Sequence, residues 1–353
     1  MTRLLWIPAV IGSCFLVACG SDGPKTEQLQ SITVTDANGR VTARTTLDYE
    51  AGKLVRVRAE GMTAGADNQS DTEDDVLGLV AAADCQIESG SNSLHDSYAE
   101  AHGISPVSIF FSAFQDCALP GLSASSIKSK SHLGGPDGKL LTADDTVGIE
   151  LTLARTATGS SYTSPVLADT SCDVNCSGLD NIVYNPYAGL NVGSDGIYRI
   201  DTLYTTDSRS RLQSYANTQA KTIYTRNADG LVLSREFLLP GELDFIPTLL
   251  EEYESSAGKI HVTNSQLMSS AQYDSLAGSP IGQIMLTILG IGSPFVASDG
   301  LTYYRHQTRH YLLQKTGERL DSITQLVSTG VDEQWNTSDD ETGKKVTLKY
   351  DML

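Results

Sequence analysis

The sequence predicts an all-β protein, a mainly antiparallel sheet of long-looped hairpins with a small helical insertion. Three observations carry that prediction. Apolar and polar residues alternate in many short runs, a glycine- and aspartate-rich segment recurs three times between such runs, and helical spacing is confined to one stretch near 241–293.

The recurring segment obeys G-x-D-x4-T-x-D-D-x2-G without a gap. Its copies are Gly65, Asp67, Thr72, Asp74, Asp75, Gly78; then Gly135, Asp137, Thr142, Asp144, Asp145, Gly148; then Gly330, Asp332, Thr337, Asp339, Asp340, Gly343. If each fixed position occurs by chance about one time in ten, six of them coincide on the order of one in a million starts, so the copies reflect duplication or common selection. A looser relative begins at Gly193-Ser194-Asp195-Gly196, with Thr205-Thr206-Asp207 later than the strict spacing allows.

Strand-like runs flank each strict copy. Leu54–Ala59, Ile127–Leu133 and Ile323–Val327 lead in, and Leu79–Ala81, Ile149–Leu153 and Val346–Tyr350 lead out. Each repeat is therefore a long-looped hairpin, with Asp and Thr side chains bonding nearby backbone amides. Three carboxylates in one short loop repel unless amide donors or a cation compensate. A self-sufficient turn is the simpler expectation and calcium the functional one. Each loop offers carboxylates, a threonine hydroxyl and carbonyls, and Asp71, Glu73 and Glu333 add further oxygens. The spacing is not that of an EF-hand, since glycine falls where that motif needs its bidentate glutamate.

Between Pro240 and Pro294 the texture changes. Phe245–Tyr253 and Ser265–Leu276 have helical spacing, and Pro280–Leu289 is an apolar run too short to span a bilayer. It is expected as a helix packed on the sheet, with a membrane- or partner-contacting face as the alternative. Strands resume at Leu301–Arg305 and continue to the C-terminus.

At the N-terminus, Thr2 and Arg3 precede the apolar Leu4–Leu16, and Leu16-Val17-Ala18-Cys19 resembles the lipobox of bacterial lipoproteins. That resemblance implies a signal peptide over 1–18, cleavage before Cys19, and fatty acylation of Cys19, palmitate included, as a membrane anchor. Gly20 and Ser21 follow without an aspartate at the next position, which favours the outer membrane; the facing side stays open. A flexible tether is expected over 19–28 and a mainly β domain over 29–353.

Residues 1–18 carry one charge, Arg3, so the formal net charge of −18 becomes −19 without them. Such acidity argues against nucleic acid and for cations or basic partners. With 40% apolar and 19% charged residues, the chain can bury a sizeable core. Cys14 lies in the signal segment, and Cys85, Cys117, Cys172 and Cys176 remain for two disulfides in an oxidising compartment. The pairing Cys172–Cys176 with Cys85–Cys117 is favoured among three, because Cys172-Asp-Val-Asn-Cys176 closes a small loop. A zinc site is disfavoured, since no second cysteine pair or nearby histidine accompanies it.

Asp36-Ala37-Asn38-Gly39-Arg40-Val41 resembles the D-x-x-G-R-L core of RHS or YD repeats. Tyr49–Leu54 is one residue short of it, and Asn227-Ala228-Asp229-Gly230-Leu231-Val232 is similar. The resemblance implies hairpins and an association with secretion or adhesion; it transfers no site residues.

No catalytic constellation emerges. His306 and His310 lie on a strand-like run that would hold them on one face ~13 Å apart. His95, His102, His132 and His261 are isolated, and Ser125-x-x-Lys128 lacks its partner motifs. The G-x-S-x-G elbow and the P-loop are missing. The expectation is an envelope lipoprotein acting as a structural or binding module with an unknown protein or glycan partner. The rivals are an accessory subunit of a surface or secretion system and an envelope enzyme.

Overall fold

The computed structural model describes residues 27–63, 65, 73–89, 117, 124–156, 158–165, 197–209, 211–218, 220–241, 244–317 and 319–352. The described strands are β1 (Glu27–Thr35), β2 (Val41–Glu50), β3 (Lys53–Thr63), β4 (Val76–Ser89), β5 (Ala124–Leu133), β6 (Thr146–Thr156), β7 (Gly159–Pro165) and β8 (Ile197–Thr206). They continue with β9 (Leu212–Ala216), β10 (Lys221–Arg226), β11 (Val232–Pro240), β12 (Phe245–Ser256), β13 (Lys259–Ser269), β14 (Pro294–Val296), β15 (Thr302–Thr316), β16 (Arg319–Ser328) and β17 (Glu341–Met352).

The fold is all-β and antiparallel, as the alternation requires. Strands pair with their neighbours in the chain, β13 pairs with β15, and β17 returns to β1 through Glu27 opposite Met352 and Val34 opposite Val346. Sixteen strands thereby close a barrel, with short β14 lying against the first residues of β15. β1 starts at Glu27, two residues before the expected start of the β domain at 29.

Alternation gives the barrel two unlike walls. Ile32, Leu47, Val57, Ile127, Val262, Tyr311, Ile323 and Val346 belong to one buried cluster that draws on strands around the whole ring, so this face is the inside. An open tube of sixteen strands would leave such residues wet, yet Val57, Ile323 and Val346 are fully buried. The interior is therefore packed. Cys117 joins it, disulfide-bonded to Cys85.

The opposite face of the same strands is charged. Arg44–Glu60, Arg56–Asp84, Arg58–Asp48 and Lys130–Glu150 pair across adjacent strands there. A barrel spanning a bilayer needs an apolar outer belt. The charged stretch covers β2 to β6, whereas Leu203, Leu233 and Val327 stand exposed on other strands.

Antiparallel order also sorts the connections. At the rim where β1 begins lie tight turns: Ala51-Gly52 and Ala257-Gly258, both in left-handed backbone, and the turns opened by Asp207 and Asn227. The three Asp-rich loops follow β3, β5 and β16 and so share the far rim, as does the helical insertion after β13.

That insertion is smaller than the spacing suggests. Phe245–Tyr253 is strand, and so is the first part of Ser265–Leu276; the helices are α1 (Ser270–Ala277) and α2 (Pro280–Leu289). β12 buries apolar residues on both faces, Tyr253 in the barrel core and Leu250 in a second cluster with Leu267, Tyr303 and Ala297, and two-sided burial mimics a helical stripe. Ser269 opens α1 with a capping box; Ser279 caps α2, Pro280 starts it, and left-handed Gly290 ends it. α1 rests on β13 and β15, and α2 packs on α1. Instead of lying on the sheet with its apolar side down, α2 leaves Ile281, Ile284, Met285 and Ile288 exposed.

Candidate functional site

The far rim gathers most of the residues singled out by the sequence. In its second loop, Asp137 Oδ1 accepts from the Lys139 amide (2.8 Å), Asp144 Oδ2 from the Asp137 amide (3.2 Å), and Asp145 Oδ2 from the Leu141 amide (2.6 Å). The third loop repeats this at the same offsets. Asp332 Oδ1 accepts from Gln334 (2.8 Å), Asp339 Oδ2 from Val331 and Asp332 (2.7 and 3.3 Å), and Asp340 Oδ2 from Asn336 (2.7 Å). Identical spacing thus gives matching hydrogen bonds, except that Pro136 stands where Val331 donates and has no N–H to give.

The glycine that opens the motif has a steric cause. A Cβ on Gly65, Gly135 or Gly330 would collide with the carbonyl and carboxylate oxygens of Asp74, Asp144 or Asp339, respectively. Those contacts close each loop. In the first copy Asp67 and Thr72 lie outside the described residues, as do Cys19, Cys172 and Cys176; Asp75 is buried and its Oδ1 accepts from the Gly65 amide (3.3 Å).

At the centre of the second loop, Thr142 Oγ1 lies 2.7 Å from Asp144 Oδ1, 3.1 Å from Asp145 Oδ1, and 3.4 Å from both Asp137 Oδ1 and the Lys139 carbonyl. Thr337 repeats the cluster with Asp339 Oδ1 at 2.8 Å, the Gln334 carbonyl at 3.2 Å, and Asp332 and Asp340 at 3.4 Å. One hydroxyl proton serves four acceptors in each case. The threonine hydroxyl, then backbone amides, hold the Asp144 and Asp339 carboxyls below the ordinary carboxylate range. Burial pushes Asp145 up, but the Leu141 amide and Thr142 outweigh it and the net shift is downward. Among the described residues, no three His, Cys, Asp or Glu side chains form a group arranged to hold a metal ion.

Two loops are also fastened to the outer wall by histidine. His132 of β5 places Nδ1 3.1 Å from Asp145 and Nε2 3.0 Å from Asp84. Trp335 of the third loop stacks on His310 of β15 at 3.9 Å, and His310 Nδ1 lies 3.1 Å from His261 Nε2. Desolvation, then His261, lowers the His310 pKa to about 4.

His306 and His310 do not share a face. Asn264 pairs with Arg309 but Gln266 with His306, so β15 carries an extra residue at Gln307, whose φ is +48°, and the bulge turns His306 to the other side. There His306 meets a cleft of about 630 Å³ between α1 and the ends of β13 and β15.

The barrel interior holds a site that sequence reasoning missed. Glu251, fully buried, accepts from Arg235 Nη1 (3.0 Å) and the Tyr253 hydroxyl (2.7 Å) on Oε2, and from Asn264 Nδ2 (3.1 Å) on Oε1. Burial first, then the carboxylate, raises the Tyr253 pKa well above its usual value, so the phenol stays a donor. Glu251-Glu252 reads as a solvated pair in sequence; the available signal was its place in an apolar strand, opposite another strand that carries Arg235.

Catalysis needs a nucleophile or acid–base pair open to a substrate, and this network is closed. The predicted pair Cys85–Cys117 is a disulfide.

No protein-family model and no curated protein matches the chain. Among solved structures, it is similar to a protein of unknown function from Bacteroides fragilis, with 9% identity, a TM-score of 0.21, and coverage of 60% of this chain and 90% of that one. A porin-like protein from Bacteroides uniformis shares 7% identity at a TM-score of 0.27, over 93% and 99% of the two chains. Likeness this distant carries no functional argument, so the chain's own geometry must supply one.

Proposed function

We propose that this protein is a lipid-anchored module of the bacterial outer membrane, a water-facing barrel that holds its Asp-rich rim away from the bilayer. The observation that carries the reading is the division between the rims. A chain acylated at Cys19 enters the barrel at the rim of tight turns, and the three Asp-rich loops lie on the other. The charged outer wall of β2 to β6 supports a barrel that stands beside the membrane rather than within it. The role is structural or binding, with a protein or glycan partner meeting the far rim.

Calcium belongs to the same proposal. Around Thr142 and Thr337, carboxylate and carbonyl oxygens outnumber the proton available to them, and a hard cation would satisfy the surplus. Binding would draw the carboxylates off some of their amides. If it does, calcium raises the melting temperature over that measured in chelator, and Asp144→Ala and Asp339→Ala each reduce the rise. Equal losses of about 0.5–2 kcal/mol with and without calcium would identify self-sufficient turns and remove the metal. Fatty-acid labelling that persists in Cys19→Ala would remove the anchor.

A further inference from the structure

α2 turns one stripe toward α1 and another away from it. Gly282 and Leu286 are buried, and a Cβ on Gly282 would collide with the Leu276 carbonyl of α1, so close packing fixes the roll of the helix. Ile281, Ile284, Met285 and Ile288 then stand 45–76% exposed. Their i, i+3, i+4, i+7 spacing makes one apolar seam, of the kind that packs against a second helix.

The charge around this seam has one sign. From Ser275 to Ser298 no side chain is charged, and the exposed Asp274 and Asp299 bound the segment. Asp244, also exposed, lies in the turn from β11 to β12 on the same rim. No Lys or Arg occurs between 260 and 304, and Arg305 is already held by Glu252 at 2.8 Å.

We propose that α2 is the docking face for an amphipathic helix of a partner protein, its apolar side laid on the Ile281–Ile288 seam and its flanks rich in Lys or Arg opposite Asp274 and Asp299. This rests on the reading that a partner meets the far rim, and it names that partner's chemistry. A helix satisfies its own backbone, so it can cover a seam that offers side chains alone. Charge complementarity selects a basic one. Two other occupants fit less well. A second copy would set like charges together, and a stable dimer buries about 800 Å² per partner, more than one face of a helix ~15 Å long presents. A helix that lies in a bilayer surface carries Lys or Arg beside its apolar face, and α2 has neither.

The test titrates the unacylated mature chain with a labelled Leu/Lys amphipathic peptide of about eighteen residues, long enough to form a helix. Fluorescence anisotropy reads the binding. Affinity should fall at least about tenfold in Ile284→Ser with Ile288→Ser, because two large apolar side chains are lost from the contact. The melting temperature should not change, since both residues are exposed in the free protein. A Leu/Glu peptide of the same pattern should bind at least about tenfold more weakly, and Asp274→Asn with Asp299→Asn should narrow that gap.

No binding of the Leu/Lys peptide, or binding indifferent to the α2 substitutions, would overturn the proposal. If binding were lost instead in Asp144→Ala with Asp339→Ala, the far rim would remain the partner's side and only the role of α2 would fall. Retention on phosphatidylcholine vesicles, or dimerisation in sedimentation equilibrium, that disappears in Ile284→Ser with Ile288→Ser would put a bilayer or a second copy on the seam and overturn the proposal as well.

Discussion

Arg235–Glu251 inside the barrel and Arg58–Asp48 on its outer wall are the same chemical pair in opposite surroundings. Inside, both partners are nearly water-free, and Tyr253 and Asn264 complete the carboxylate's hydrogen bonds. Outside, the side chains are 40% and 35% exposed and bonded through two guanidinium nitrogens. Water does for the outer pair what the protein must do for the inner one. The cross-strand pairs of β2 to β6 lie where solvent can complete their hydrogen bonds, and the one inside must have protein partners to do so.

Breaking the inner pair should have the largest effect. Glu251→Gln leaves the Arg235 cation buried without its counter-charge, and we expect a loss of about 3–5 kcal/mol in denaturant unfolding. The double variant Arg235→Met with Glu251→Leu should recover most of it, because both charges then go together. A single-variant loss below 1 kcal/mol would mean that water reaches the interior.

An intermediate effect is expected from His310, which lies on the outer wall but is shielded by Trp335 and His261. Its folded pKa is about 4, against an ordinary 6.5 in the unfolded chain. Between those values the unfolded state binds the proton and the folded state does not, so acidification through this window favours unfolding. Stability should therefore fall as pH drops from 6.5 toward 4, and the fall should be shallower in His310→Asn. The comparison isolates this group from the carboxylates, which titrate in both proteins. A slope unchanged by the substitution would show that Trp335 does not shield the ring.

Local chemistry made much of this legible. The Asp-rich loops close through contacts within about ten residues, so their spacing announced the carboxylate-to-amide bonds, and the runs at 54–59 and 346–350 marked β3 and β17 as strands. Closure of the barrel had no local signal. Glu27 meets Met352 across nearly the whole chain, and nothing in either terminus announces its partner. Phe245–Tyr253 misled for a physical reason, since a strand buried on both faces loses its alternation. The bulge that parts His306 from His310 sits in an unbroken strand-like run with no glycine to mark it. For the interior site, Arg235 and Glu251 pair across strands; each charge alone reads as exposed.

The smallest effect sharpens the comparison most. A double-mutant cycle on Arg58 and Asp48 should return a coupling of about 0.2–1 kcal/mol, because high dielectric weakens the attraction and two long side chains lose rotamer freedom to form it. Salt near 1 M should reduce that coupling, since the screening length there is about 3 Å and the pair is open to solvent. Arg58 is also drawn up in pKa by its hydrogen bonds to Asp48, so its charge is fixed over the neutral range where the cycle is measured. A coupling above 2 kcal/mol that ignores salt would be informative in another way. It would mean that this wall is covered in the native assembly, by a protein partner or by lipid, and that the outer face of the barrel is an interface rather than a surface in water.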